Sequence, residues 1–188
     1  MKIKLRDKYI CIEEIVIITL FLCIISEKAR TFLNNYFTCY LFITFHETAH
    51  VLVASLLGNE LQKVNVKLAG LNAVFKNMFT GIKGIVIYLA GPIANILLAI
   101  LFKNVKIIFE INLALAIINI FPIKPLDGYN LLKLVLELNI NKETAKKILN
   151  ITKNIVEILM LFLATFMCYK YANFSLFFLL VYIKTNSL

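Results

Sequence analysis

The run from Tyr36 to Leu57 is apolar almost throughout and long enough to cross a bilayer as a helix, yet it holds both histidines of the chain, in His46-Glu47-Thr48-Ala49-His50. In lipid every backbone polar group must be satisfied internally, so such a run folds as a helix packed among other helices. At about 3.6 residues per turn, side chains four apart share one face about 6 Å apart along the axis, close enough for two imidazoles to grip one metal ion. Glu47 projects beside that face, where it can take a proton from an activated water. The plainer alternative is a pair of histidines hydrogen-bonded between helices, with Glu47 paired to a lysine. Three ionisable side chains in five residues at membrane depth cost roughly 2 to 3 kcal/mol each, which argues against a merely structural helix.

Composition extends the constraint to the whole chain. With 188 residues, 61% of them hydrophobic, and a mean hydropathy of +0.84, there is little material for a soluble domain. The expectation is one integral membrane domain over residues 1–188, an all-α polytopic protein with about six spans. The apolar runs lie at about 9–25, 36–57, 84–102, 105–121, 152–169 and 172–184. Cys11, Cys23, Cys39 and Cys168 are scattered through them and read as small core hydrophobes; Cys39 is about 10 Å along the helix from His46, too far to share its ion. The basic N-terminus precedes an apolar stretch, but Ser26-Glu27-Lys28-Ala29-Arg30 offers no small-residue cleavage site, so an uncleaved first span is expected.

With the N-terminus in the cytoplasm and six spans, only Lys28, Arg30, Lys103, Lys106 and Lys170 of the 20 basic residues fall on the far side. The positive-inside rule then places both termini in the cytoplasm. Topology and attraction to anionic head groups account for the net charge of +9 without any nucleic acid.

Catalytic zinc commonly takes three protein ligands and keeps one position open. No third histidine exists, so the candidates are carboxylates near apolar segments: Glu13, Glu14, Glu60, Glu110, Glu157 and Asp127. Asp127 stands out by its surroundings. Pro122 and Pro125 cannot continue a helix, so the fourth span is expected to break into a short extended segment that displays Asp127. Irregular backbone at membrane depth survives where it is buried in protein or lines a wet cavity. Alone, Asp127-Gly128 would be an ordinary turn. In a six-span topology, however, His50 and Asp127 fall at the same side of the membrane.

His46-Glu47-x-x-His50 and Asn119-x-x-Pro122-x-x-Pro125-Leu126-Asp127-Gly128, with Gly91-Pro92-x-x-Asn95 between them, resemble the motifs of the site-2 protease family of intramembrane metalloproteases, and most of all its sporulation-type branch. The resemblance covers residues 36–138, the expected catalytic core. It implies one zinc ion held by His46, His50 and Asp127, Glu47 as catalytic base and Asn119 as a substrate contact. It further implies a substrate in or near the membrane, a sigma-factor precursor among the candidates, inhibitory membrane partners, and a bacterial cell membrane as location. The nucleotide-sensing CBS domain of the sporulation branch and the PDZ domains of larger relatives have no counterpart in the sequence, so a minimal core is expected. Asn95 is expected to make an interhelical hydrogen bond, and Gly91-Pro92 to mark a kink or a close helix contact.

Between the second and third runs, Lys63 to Phe75 alternates polar and apolar residues and turns at Gly70, which predicts a small β-hairpin. The resemblance makes it membrane-associated, with an edge that an unwound substrate could join as a further strand. Asn141 to Lys147 reads as a solvated, interfacial helix start. A metal transporter is the rival class, but it would need several ligand positions along a path, whereas one constellation here uses both histidines. A catalytically inactive adaptor would be expected to have lost His46, Glu47 or Asp127, and all three are present.

Overall fold

A computed structural model of the chain describes residues 2–5, 8–12, 27–67, 70–76, 79–174, 176–177 and 179–181. In order, the elements are β1 (Lys2–Leu5), β2 (Lys8–Ile12), α1 (Glu27–Leu56), β3 (Leu61–Lys67), β4 (Gly70–Phe75), α2 (Gly81–Leu101), α3 (Lys106–Ile120), α4 (Asp127–Asn139) and α5 (Lys142–Tyr171).

The chain divides into two compact units. The first holds residues 1–79 and 90–116, the second residues 80–89 and 117–188, so α2 and α3 contribute to both. Three helical stretches among the described residues are long and apolar enough to cross a membrane: Asn34–Leu56, Gly81–Leu101 and Lys142–Tyr171. Their large apolar side chains face outward, with Leu56 77%, Leu101 73% and Phe162 73% exposed, as lipid-facing residues would be and a water-soluble surface would not tolerate. These stretches take up the second, third and fifth apolar runs. The fourth run forms α3, whose 15 residues reach about 22 Å, short of a bilayer core of about 30 Å.

The first run departs from expectation at its start. Tyr9 to Ile12 lie in a strand, and residues 13–26 lie outside the described residues. A short apolar stretch cannot be assigned to helix or strand by hydropathy alone, and Glu13-Glu14 interrupts this one after Ile12. The last run is described only in part, as residues 175, 178 and 182–188 lie outside.

In the first unit the predicted hairpin is present, and it belongs to a four-stranded sheet ordered β1-β2-β3-β4. β3 and β4 pair antiparallel from Lys67↔Gly70 to Leu61↔Phe75, with a one-residue irregularity between Leu61 and Lys63. β2 runs parallel to β3, and β1 antiparallel to β2. The protein is therefore mostly helical but not purely α. The sheet begins where α1 stops: Gly58, at φ 85, lets Asn59 N–H reach Ala54 O and Gly58 N–H reach Ser55 O, a left-handed helix ending that glycine adopts without a Cβ penalty. At the hairpin base Lys76 Nζ lies 3.0 Å from Glu60. Ala54, Ala90 and Ala99 are buried in this unit, the small side chains that let helix backbones approach in a membrane.

In the second unit α3 ends at Ile120 and the chain turns before α4. The break falls where Pro122 and Pro125 predict it, but the segment is a series of tight turns rather than extended chain. Ile123 N–H reaches Phe121 O and Leu126 N–H reaches Ile123 O, at 2.8 and 2.9 Å, and Ile123 is fully buried against Met160. These short-range bonds satisfy backbone groups that would otherwise be orphaned. Gly128 permits the fold-back, since a Cβ there would overlap the carbonyl of Ile120. α5 starts as the sequence suggests, capped by Asn141, whose side chain accepts from Thr144 N–H at 2.8 Å.

Candidate metal centre

Within the first unit α1 places His46 and His50 on one face, 3% and 6% exposed. Their Nε2 atoms lie 3.1 Å apart, with the rings nearly perpendicular at 79°. The orientation of His46 is set by a chain of three hydrogen bonds that begins on α3. The carbonyl oxygen of Ile108 can only accept, so the Asn112 group 2.9 Å from it is the amide nitrogen. Asn112 Oδ1 therefore turns the other way and accepts from Asn95 Nδ2 at 2.9 Å, which leaves Asn95 Oδ1 facing His46 Nδ1 at 2.5 Å. An amide oxygen cannot donate, so Nδ1 of His46 carries the hydrogen, and in the neutral ring Nε2 is the lone-pair nitrogen. Asn95 and Asn112 are both fully buried.

With its lone pair on Nε2, His46 meets Nε2 of His50 at 3.1 Å, a spacing that suits a proton on the second ring or a cation between the two. Two nitrogens bound at about 2.0 to 2.1 Å to one tetrahedral zinc stand about 3.3 to 3.4 Å apart. The pair fits such an ion with a shift of a few tenths of an ångström, and the outer bond to Asn95 is the usual support of a ligating imidazole. Gly91, on α2 one turn before Asn95, makes the approach possible. A Cβ there would overlap Nε2 of His50 and the ring of His46.

Glu47 follows His46 on α1 and is half-buried. Among the other carboxylates weighed as ligands, Glu60 pairs with Lys76, Glu110 lies 3.8 Å from Lys106 and Glu157 lies 3.4 Å from Lys153. Glu13 and Glu14 lie outside the described residues. In the second unit Asp127 is the first residue of α4 and half-buried, where the helix N-terminus favours an ionised carboxylate. Asn119 is half-buried in the last turn of α3. Cys39 stands half-buried on α1, two turns before His46.

The structure thus gathers His46, His50, Asn95 and Gly91 around one point of the first unit. Asn95 does make the interhelical bond expected of it, and the bond goes to the imidazole. Its signal was the spacing in Gly91-Pro92-x-x-Asn95, which puts the glycine and the asparagine on one helix face. Nothing in the sequence marked Asn112 out from other asparagines.

The family model described as Peptidase M50B-like matches residues 14–121. No curated protein matches the sequence. The fold is similar to that of the site-2 protease from Methanocaldococcus jannaschii, with a TM-score of 0.66 over 100% of this chain and 93% of that one, at 19% identity.

Proposed function

The chain belongs to the Peptidase M50B-like family of membrane metalloproteases, and we propose that it is an intramembrane zinc endopeptidase that hydrolyses a peptide bond in or near a membrane-spanning segment of its substrate. The observation that carries this is the buried pair of Nε2 atoms 3.1 Å apart, the His46 ring oriented for ligation by the bond to Asn95. His46, His50 and Asp127 would hold the ion. Support for Asp127 is chemical: catalytic zinc takes a third protein ligand, no other histidine exists, and the described alternatives lie against lysines.

When bound, zinc supplies Lewis acidity, which eases deprotonation of water near neutral pH and polarises the scissile carbonyl. Glu47 takes the proton from the attacking water and delivers it to the leaving amine as the C–N bond breaks. Asn95 holds His46 in the ligating tautomer. Asn119 contacts the substrate backbone near the scissile bond. A helical substrate must unwind before attack, and β4, one of the two edge strands of the sheet, offers its backbone groups to the unwound segment.

The sequence motifs and lysine distribution support a finer assignment: a catalytic core over about residues 36–138, both termini in the cytoplasm of a bacterial cell, and a sigma-factor precursor as substrate, as in stage IV sporulation protein FB. Other membrane peptides are the alternative substrate. The test is co-expression with a membrane-bound sigma precursor from the same genome. A shorter, soluble product that Glu47→Gln abolishes is expected. An intact precursor beside a cleaved unrelated membrane peptide would leave the protease and remove the sporulation assignment.

A further inference from the structure

A cavity of about 450 Å³ opens between α4 and α5 in the second unit, within the size range of small-molecule sites. Four lysines line it: Lys124 from the turn before α4, Lys133 from α4, and Lys142 and Lys146 from the first turns of α5. Glu137 is its acidic lining residue, and it meets Lys133 only at 4.0 Å. Lys142 and Lys146 have no acidic partner among the described residues. Nζ of Lys124 sits 5.2 Å from the centre of the Tyr129 ring, also in the wall, so the ring face holds this lysine at the cavity. Ala145 and Leu149 are buried and form an apolar floor, and Asn130 adds a half-buried amide.

Four lysines line one hollow against a single carboxylate, so its wall carries a net positive charge that an anion would complement. We propose that this cavity binds a phosphate group, and that the group belongs to the headgroup of an anionic phospholipid. The apolar floor and the position at the polar end of α5, a candidate span, favour a lipid over a soluble phosphate. Lys124 stands three residues before Asp127, so an occupied cavity ties the turn that leads into α4 to the start of α5.

The test uses the full chain in detergent micelles, titrated with short-chain phosphatidylglycerol, short-chain phosphatidylcholine and inorganic phosphate. All four lysines are exposed, so charge removal should leave the fold intact. Saturable binding of phosphatidylglycerol is expected, roughly fivefold weaker for each lysine removed and hence about 25-fold weaker in Lys142→Gln/Lys146→Gln. Lys147→Gln, one position along the same helix and outside the cavity, should change it less than twofold. Inorganic phosphate binding as tightly with the same lysine dependence would keep the phosphate site and assign it to a soluble ligand. Equal weakening by Lys147→Gln, or unchanged binding in the double variant, would reduce the attraction to diffuse surface charge and overturn the site.

Discussion

Asn95 Oδ1 accepts the Nδ1 hydrogen of His46 across 2.5 Å, and because the Asn95 amide is itself oriented through Asn112 by the Ile108 carbonyl, a backbone group on α3 decides the tautomer of an imidazole on α1. A rotated Asn95 amide would set a second donor against Nδ1 and two carbonyl oxygens against each other, breaking both of its bonds.

Asn95→Leu should therefore cost about 10- to 100-fold in zinc affinity. It would also remove the donor to Asn112 Oδ1, with a loss of about 1 to 3 kcal/mol of stability. Competition against a chelator of known affinity reads the first effect. Unchanged affinity would show that the bond is structural only.

Gly91→Ala should abolish metal binding, since the added methyl overlaps both imidazoles. Gly58→Ala makes a matched comparison: it strains a left-handed backbone position with open space around it, so it should lower stability by about 1 kcal/mol and leave the zinc content unchanged. Equal zinc loss in the two variants would point to general destabilisation.

Elemental analysis of purified chain should find one zinc, lost in His46→Ala, His50→Ala and Asp127→Ala. Glu47→Gln should keep the ion while proteolysis falls by about 10²- to 10⁴-fold. Glu60→Ala removes only an exposed ion pair and should cost about 0 to 1 kcal/mol. Full zinc content in Asp127→Ala would remove Asp127 from the ligand set.

Gly128→Ala should damage the turn between α3 and α4, because the new methyl meets the rigid carbonyl of Ile120 rather than a movable side chain. The expected result is lost activity with α5 intact, read by hydrogen exchange confined to the 117–130 region. Full activity would show that the turn relaxes freely.

The spacing of His46 and His50 and the apolar run around them determined the metal-binding face, because helical periodicity and the absence of water are local properties of the chain. The alternation from Lys63 to Phe75 likewise determined the β3–β4 hairpin, in which Gly70 opens β4 and residues 68–69 lie outside the described residues, and the two prolines determined where α3 stops. Pairing was not legible. That Tyr9 to Ile12 join β3 as a parallel strand depends on residues more than 50 positions away, and a short apolar stretch carries no periodicity strong enough to exclude a helix. The tight turns at 121–126 were set by where Ile123 is buried, which overrides the extended preference that the prolines impose on their neighbours. Asn95 was marked only by its spacing from Gly91-Pro92, and Asn112 differs in sequence from no other asparagine. Only helix packing brings one amide to an imidazole and the other behind it, and the direction of every hydrogen bond then follows from a carbonyl that can do nothing but accept.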